Sequence, residues 1–329
     1  MVILADQDLR EIGAVKDANL TVDLNGDKNF VLQIARCNWR PELTFSNYIY
    51  VMDTEYGGII GEILTDTALD YVELRGLSWR GRLKMKVIEP ISGSDYKKVS
   101  GELHEVMKSL IEPEFDGLFS VSRKDTGIRV DNYQFERYCT LYDGIVKMLE
   151  SKGYRMQLSF RRDNRETGYL LIEAVPVVDY SDRIELSKDS RINYTMHDKR
   201  DGVNHLIVAG KGEMQDRMIL HLYAQPDGSI STTQHYKGLQ EITQVYENTS
   251  TETEELRSKA EEYFRKLMNK KSFRMDIAKL GIEAGIGDVV GGRDYLTGLY
   301  GAKQIENIIY EKIDNVEFKT YKLEGDGEE

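Results

Sequence analysis

Between Asp70 and Ile111 the chain changes its hydrophobic period, and this change constrains its fold more than any other stretch does. Over Tyr71 to Trp79, Val72 and Leu74 fall on one side while Tyr71, Glu73 and Arg75 fall on the other. A period of two belongs to a strand with one wetter face. A corner follows, Gly76-Leu77-Ser78-Trp79-Arg80-Gly81, and then the turn Pro90-Ile91-Ser92-Gly93. Beyond it Val99, Leu103, Val106, Met107, Leu110 and Ile111 recur at three and four. That spacing predicts an amphipathic helix over 95–111, stopped by Pro113. The stretch is therefore a junction between a β region and a helical one.

The residues before it read as short strands: Val2 to Ala5, Ala18 to Asp23, Phe30 to Ala35, Tyr48 to Met52 and Ile59 to Leu64. Asn25-Gly26 predicts a hairpin with a type I′ turn, because both central residues of that turn need positive φ. The series Asp23, Asn25, Asp27, Asn29 imitates a calcium loop, but Gly26 stands at its fourth position and no Glu closes it. Strands at such close spacing suggest a small barrel or sandwich.

A second helix is expected over 132–152, with a stripe of Phe135, Tyr138, Cys139, Tyr142, Ile145, Val146 and Leu149. Asp131 or Asn132 would cap it and Gly153 would end it. Tyr154 to Phe160 and Tyr169 to Val178 form a strand pair, the second almost continuously apolar and hence central. Val203 to Ala209 and Met218 to Tyr223 are strands. Leu256, Ala260, Tyr263, Phe264 and Leu267 mark a helix within 247–271, its start favoured by Glu252, Glu254 and Glu255. The remainder reads as strands at Met275 to Ile277, Asp288 to Val290, Tyr300 to Ala302, Ile305 to Ile313 and Glu317 to Tyr321. The expected class is α+β: two β-barrel-like domains, 1–94 and 186–322, bracketing a helix-containing middle domain, 95–185, with a frayed acidic tail, 323–329.

A net charge of −12 argues against a general nucleic-acid binder, which needs a surplus of Lys and Arg. An acidic surface can still let DNA pass without holding it. Twenty tyrosines against nine phenylalanines suit half-buried strand or interface positions. Cys37 and Cys139 have no metal or redox spacing and read as reduced core thiols. The N-terminus lacks a basic and apolar leader, and no stretch reaches the length of a membrane helix, so synthesis and folding in a cytoplasm are expected.

Enzyme templates each miss a part. His104-Glu105 opens a zinc motif, but Lys108 replaces the second ligand. Gly76-Leu77-Ser78-Trp79-Arg80 imitates a nucleophile elbow whose closing glycine comes one residue late. Gly210-Lys211-Gly212-Glu213 fails as a dinucleotide loop because Gln215 stands where glycine is needed. The histidines have no ligand spacing; His205 and His221 can face each other across the Gly210 turn as satisfied strand histidines. Paired carboxylates for a glycosidase are uninformative among 56 acidic residues.

Four passages, in order, resemble the tail-hub or minor tail family of siphovirus-type bacteriophages. They are the Gly76–Gly81 corner with the Pro90–Tyr96 turn and its helix; Asn132 to Gly153; Val203 to Glu213 with Arg217; and Ile286 to Asp294 with Thr297-Gly298. The resemblance implies a non-enzymatic tail-tip hub, akin to the baseplate hub of contractile tails. It implies a homotrimeric ring of tube-forming barrels and no cofactor. Its neighbours would be the distal tail ring, the tape-measure protein and tip fibres or spikes, with DNA only in transit and no membrane insertion. Rival readings are a phage-tail peptidoglycan hydrolase, for which the chain leaves no added domain, and the hub of a phage-derived injection particle. Candidate structural or interface residues are Trp79 and Arg80 at the corner, Gly210, Lys211, Gly212, Glu213 and Arg217 at the turn, and Arg293 near the C-terminal loop. Trp79 is read as a core residue or an interface anchor, and the charges as solvated or as pairing between subunits.

Overall fold

The computed structural model describes residues 1–26, 29–163, 167–181, 185–186, 193–249, 253–277 and 281–325. Its largest element is a sheet of eleven strands in which the two ends of the chain meet. The early strands are β1 (Val2–Ala5), β2 (Glu11–Ala14), β3 (Ala18–Asp23), β4 (Phe30–Ala35), β5 (Tyr48–Val51), β6 (Gly57–Thr65) and β7 (Tyr71–Ser78). A short helix α1 (Trp79–Lys84) follows β7 directly. The middle of the chain supplies β8 (Lys98–Glu102), α2 (Leu103–Ile111), β9 (Phe119–Val121), β10 (Arg129–Gln134), α3 (Leu141–Glu150), β11 (Tyr154–Arg162) and β12 (Gly168–Pro176). Next come β13 (Glu185–Leu186), β14 (Tyr194–Lys199), β15 (His205–Ala209), β16 (Ile219–Ala224), β17 (Ile230–Ser231), β18 (Thr243–Glu247) and α4 (Thr253–Leu267). The last strands are β19 (Lys270–Met275), β20 (Val289–Asp294), β21 (Tyr300–Ile313) and β22 (Val316–Leu323).

The large sheet runs β13-β20-β21-β3-β4-β7-β6-β5-β1-β2, with β22 paired to β21. β3 and β21 are antiparallel, with Val22 opposite Tyr310. Their buried sides, Leu20, Val22 and Tyr310, are among the least exposed residues of the chain. This path has two ends, so among the described residues no barrel closes, contrary to the barrel-like reading. The α+β class stands, with most of the ordered chain in strands.

The chain divides into two compact units: Met1–Ile192 with Asp276–Gly292 and Ala302–Glu329, and Asn193–Met275 with Arg293–Gly301. The sequence-based segments 1–94, 95–185 and 186–322 differ from these units because β21 pairs with β3, a partnership that no local pattern reveals. In the first unit α2 and α3 lie with the three-stranded sheet β11-β12-β9 in one core. Leu103, Val106, Met107 and Ile111 come from α2, and Tyr142, Ile145, Met148 and Leu149 from α3. In the second unit α4 places Leu256, Ala260 and Phe264, with Met268 just beyond its end, against Leu206, Val208, Leu222 and Ala224 of the sheet β17-β16-β15-β18. Arg257–Glu261, Lys259–Glu255 and Lys266–Glu262 pairs, four residues apart, line the wetter side of α4. Glu252 lies outside the described residues.

Three local expectations are corrected. The first helix begins at Leu103, because the Glu102 side chain caps it by accepting the Glu105 N–H at 3.1 Å, and residues 98–102 pair with β10 instead. The second begins at Leu141. Asn132 and Tyr138 sit at φ 49° and 57°, outside helical geometry, and Thr140 is the cap, accepting the Asp143 N–H at 3.0 Å. The β3–β4 hairpin exists, with Val22 opposite Phe30, but neither Asn25 nor Gly26 has positive φ; Asn29 does, at 52°. The connection is longer than two residues, and the Asp23 carboxylate organises it by accepting the Gly26 N–H at 2.9 Å.

Gly76 is required by close packing within the sheet. A Cβ there would lie 1.8 Å from the Ile59 carbonyl oxygen and 2.8 Å from the Phe30 ring. Gly61 sits at the irregularity of β6, where a Cβ meets nothing within 4 Å. Gly76→Ala is expected to destabilise by more than about 2 kcal/mol, the scale of overpacking a core. Gly61→Ala is expected to stay within about 0.5 kcal/mol in the same urea-unfolding measurement, as an unhindered surface change does.

Candidate functional site

The corner after β7 is built around one buried guanidinium. Ser78 caps α1 by accepting the Gly81 N–H at 3.1 Å, which turns the next two side chains into the core. Trp79 is 1% exposed and Arg80 is 2% exposed. Trp79 lies between Tyr48 and Phe160, with ring centroids 6.3 and 6.1 Å away, so it is a core residue. Its Nε1–H has no acceptor among the described residues.

Arg80 donates in three directions. Its Nε reaches the Glu55 carboxylate at 2.8 Å, Nη1 the Tyr142 hydroxyl at 3.0 Å and Nη2 the Met156 carbonyl at 3.2 Å. These partners come from the β5–β6 connection, α3 and β11. Burial alone would depress the guanidinium; Glu55 and Tyr142 outweigh it and hold Arg80 above the ordinary arginine range. Burial pushes the Tyr142 hydroxyl up, against the pull of Arg80. Glu55 carries no motif and was missed in the sequence, and Tyr142 was read only as part of the helical stripe, not as a partner of Arg80.

A second buried carboxylate does comparable work in the C-terminal passage. Asp288 is fully buried. It accepts from Arg155 Nε at 2.7 Å and from the N–H groups of Val178 at 2.9 Å and Gly285 at 2.8 Å. A Cβ on neighbouring Gly287 would lie 2.8 Å from the Arg155 Cβ, so glycine lets the two segments approach. Between these two centres lies a cavity of about 310 Å³, lined by Arg80, Tyr142, Glu150, Arg155, Gln304 and Glu324 among others. Burial, then the neighbouring Glu324, hold the Glu150 carboxyl above its ordinary range.

The Gly210–Arg217 turn has a different character. The Gly210 N–H donates to the Met218 carbonyl and the Met218 N–H to the Lys211 carbonyl, both at 2.9 Å. Gly212 has φ 106°, and a Cβ there would lie 2.3 Å from the Asp216 carbonyl oxygen. Gly212 is therefore a requirement of the turn, whereas a Cβ on Gly210 would meet the Leu256 side chain at 2.8 Å. Arg217 Nε donates to the Gly210 carbonyl at 3.3 Å and Nη1 lies 3.6 Å from Glu247. Lys211 and Glu213 are exposed at the tip, beside Met214, which is 96% exposed. Arg293 is exposed too. The candidate residues thus do not converge on one site: Trp79 and Arg80 lie inside the first unit, and the others belong to the second.

His104 is buried and saturated. Its Nδ1 lies 2.5 Å from the Lys124 carbonyl and its Nε2 accepts the Ala174 N–H at 2.8 Å, which fixes the proton on Nδ1. Cys37 is exposed and Cys139 half-buried, so Cys37 is not the core thiol that its residue type suggested. Among the described residues no group of His, Cys, Asp and Glu could hold a metal ion. No described helix is long and apolar enough to cross a membrane.

No family model matches the chain, and no curated protein matches it. Solved structures do. The tail protein from Neisseria meningitidis MC58 aligns over 99% of this chain and 97% of its own, at 14% identity and a TM-score of 0.46. The 43 kDa tail protein of prophage MuSo2 from Shewanella oneidensis aligns over 98% and 97%, at 12% identity and a TM-score of 0.45. The prophage tail protein gp18 from Listeria monocytogenes EGD-e aligns over 98% and 94%, at 12% identity and a TM-score of 0.45. Each of the three is a tail protein, and two are from prophages.

Two outcomes follow for the corner and for α2. Arg80→Ala is expected to cost about 3–5 kcal/mol in denaturant unfolding, because half-buried Glu55, the Tyr142 hydroxyl and the Met156 carbonyl all lose their shared donor. Arg80→Lys should recover only part of that, since an ammonium cannot donate along the three directions of the planar fork. At α2, burial works to raise the Glu102 carboxyl, but hydrogen bonds from Thr126 and Glu105 prevail and hold it below its ordinary value of 4.5. A depressed carboxyl contributes stability above its unfolded value and loses it as pH falls through the folded one. Glu102→Gln should therefore unfold at a lower temperature than the parent near neutral pH. The difference should close as the pH is taken below 4.5.

Proposed function

We propose that the protein is a structural part of a phage or prophage tail tip, a hub that continues the tail tube and adapts it to the tip. The observation that carries this reading is where the family-like residues fall. Arg80 and Asp288, from the first and last of the four passages, are buried and spent on hydrogen bonds that join separate segments. Gly212, from the third, shapes a turn. Residues used this way hold a scaffold together.

In this reading the hub is a homotrimer whose ring contacts the distal tail ring, the tape-measure protein and tip fibres or spikes. DNA passes through the lumen without being held, in keeping with a net charge of −12. Synthesis is in the host cytoplasm and the finished place is the virion tail tip. The hub of a phage-derived injection particle has the same physical requirements.

The rival is a cell-wall hydrolase. The observation in its favour is Glu150, a carboxyl raised by burial and by Glu324, as a general acid is. The same cavity lining also carries Asp143, Glu306 and Glu324, so a second carboxylate is at hand and the activity has to be tested directly.

Particles made without this chain are expected to have tails that lack the tip and do not infect, as seen by electron microscopy and plating. Restoring the chain, or its Glu150→Gln variant, should restore both. Normal tips without the chain would sink the hub reading. Peptidoglycan turnover by the purified protein, abolished in Glu150→Gln, would establish the rival.

A further inference from the structure

The second unit contains a linked set of ionisable groups that the tail role does not use. Alternation along its sheet puts Leu206, Val208, Leu222 and Ala224 under α4. His205, Ile207, His221, Tyr223, Thr243 and Val245 therefore share the opposite face. On that face His205 stands opposite Tyr223 and Thr243, and Ile207 opposite His221 and Val245. The two histidines are diagonal neighbours. His205 Nε2 lies 2.9 Å from His221 Nδ1, and His205 Nδ1 lies 2.7 Å from Glu241 Oε1. His205 is 8% exposed, whereas His221 is exposed.

Proton positions follow from the partners. A carboxylate has no hydrogen to give, so His205 carries its proton on Nδ1, toward Glu241. Its Nε2 is then bare and accepts the His221 Nδ1–H. A third proton can settle on the outer nitrogen of His221 without disturbing either bond, and it leaves the set of Glu241 and two rings with no net charge. A fourth must go to His205 Nε2. Two N–H groups then point at each other across 2.9 Å, and no hydrogen bond is possible.

We propose that Glu241, His205 and His221 form an acid-sensitive latch, closed with two or three protons on the two rings and opened by the fourth. Opening moves His221, because it is the exposed ring; His205 stays with Glu241. The face that carries Ile207, Tyr223 and Val245 then gains a free cationic side chain. Groups facing the pair are Glu241 and Thr243, whose hydroxyl lies 3.1 Å from His205 Nδ1, and Tyr223, whose ring lies 4.4 Å from the His205 ring. Gln234 also hydrogen-bonds Glu241, and Glu247 lies farther along, opposite Ala209. The His205 ring holds Glu241 below the ordinary glutamate range, in keeping with a carboxylate that stays charged as the rings fill.

The test is a titration of the full chain with nitrogen-15-labelled histidine, read by NMR, with the five histidines assigned by single substitutions. The expected result is two distinct steps for the pair, as interacting sites show. His221 should take the first, and the N–H signal shared by the rings should vanish at the second. His221→Gln, which keeps an N–H donor toward His205, should merge the steps into one. Glu241→Gln, which keeps the shape and removes the charge, should move both steps to lower pH. The latch is overturned if the two parent rings follow one common single-site curve, or if either variant leaves the His205 curve unchanged.

Discussion

The first unit depends on one buried guanidinium, that of Arg80. Desolvating a charge of this size costs several kcal/mol unless its donors are met, and Arg80 meets them with partners from three separate segments. An apolar side chain in its place would fill the volume but would not fix the direction of approach of Glu55, Tyr142 and the Met156 carbonyl. The ion pair therefore contributes to a defined arrangement as much as to stability. Asp288 repeats the logic with the sign reversed: one carboxylate gathers the Arg155 side chain and the Val178 N–H from segments distant in sequence, and the N–H of nearby Gly285.

Much of the framework was legible because hydrophobic spacing is local. The strands at 18–23, 30–35, 48–51 and 71–78 and the stripe of α4 follow directly from alternation and from three-four repeats. The helix starts were misplaced for an equally local reason. Val99 and Phe135 fit the helical stripes in spacing, but Glu102 and Thr140 cap α2 and α3 only after those residues have passed. What could not be read was partnership. That β21 joins β3, and that Arg80 finds Tyr142, are facts of long-range packing with no periodic trace. The corner residues Trp79 and Arg80 were singled out, but their role became definite only with their neighbours in view.

The family-like passages differ in what they do physically. The corner and the C-terminal passage supply buried charges, while the Gly210 turn supplies backbone shape and an exposed tip.

The pairing of β3 with β21 also has a consequence for how the protein comes into being. A ribosome delivers β3 long before β21, so β3 begins life with one edge unpaired while most of the chain is still being made. Contacts of such large sequence separation form slowly, and open strand edges invite pairing with other chains. The nascent chain therefore carries an unpaired edge until its last strands emerge, the stage at which open edges invite misassociation.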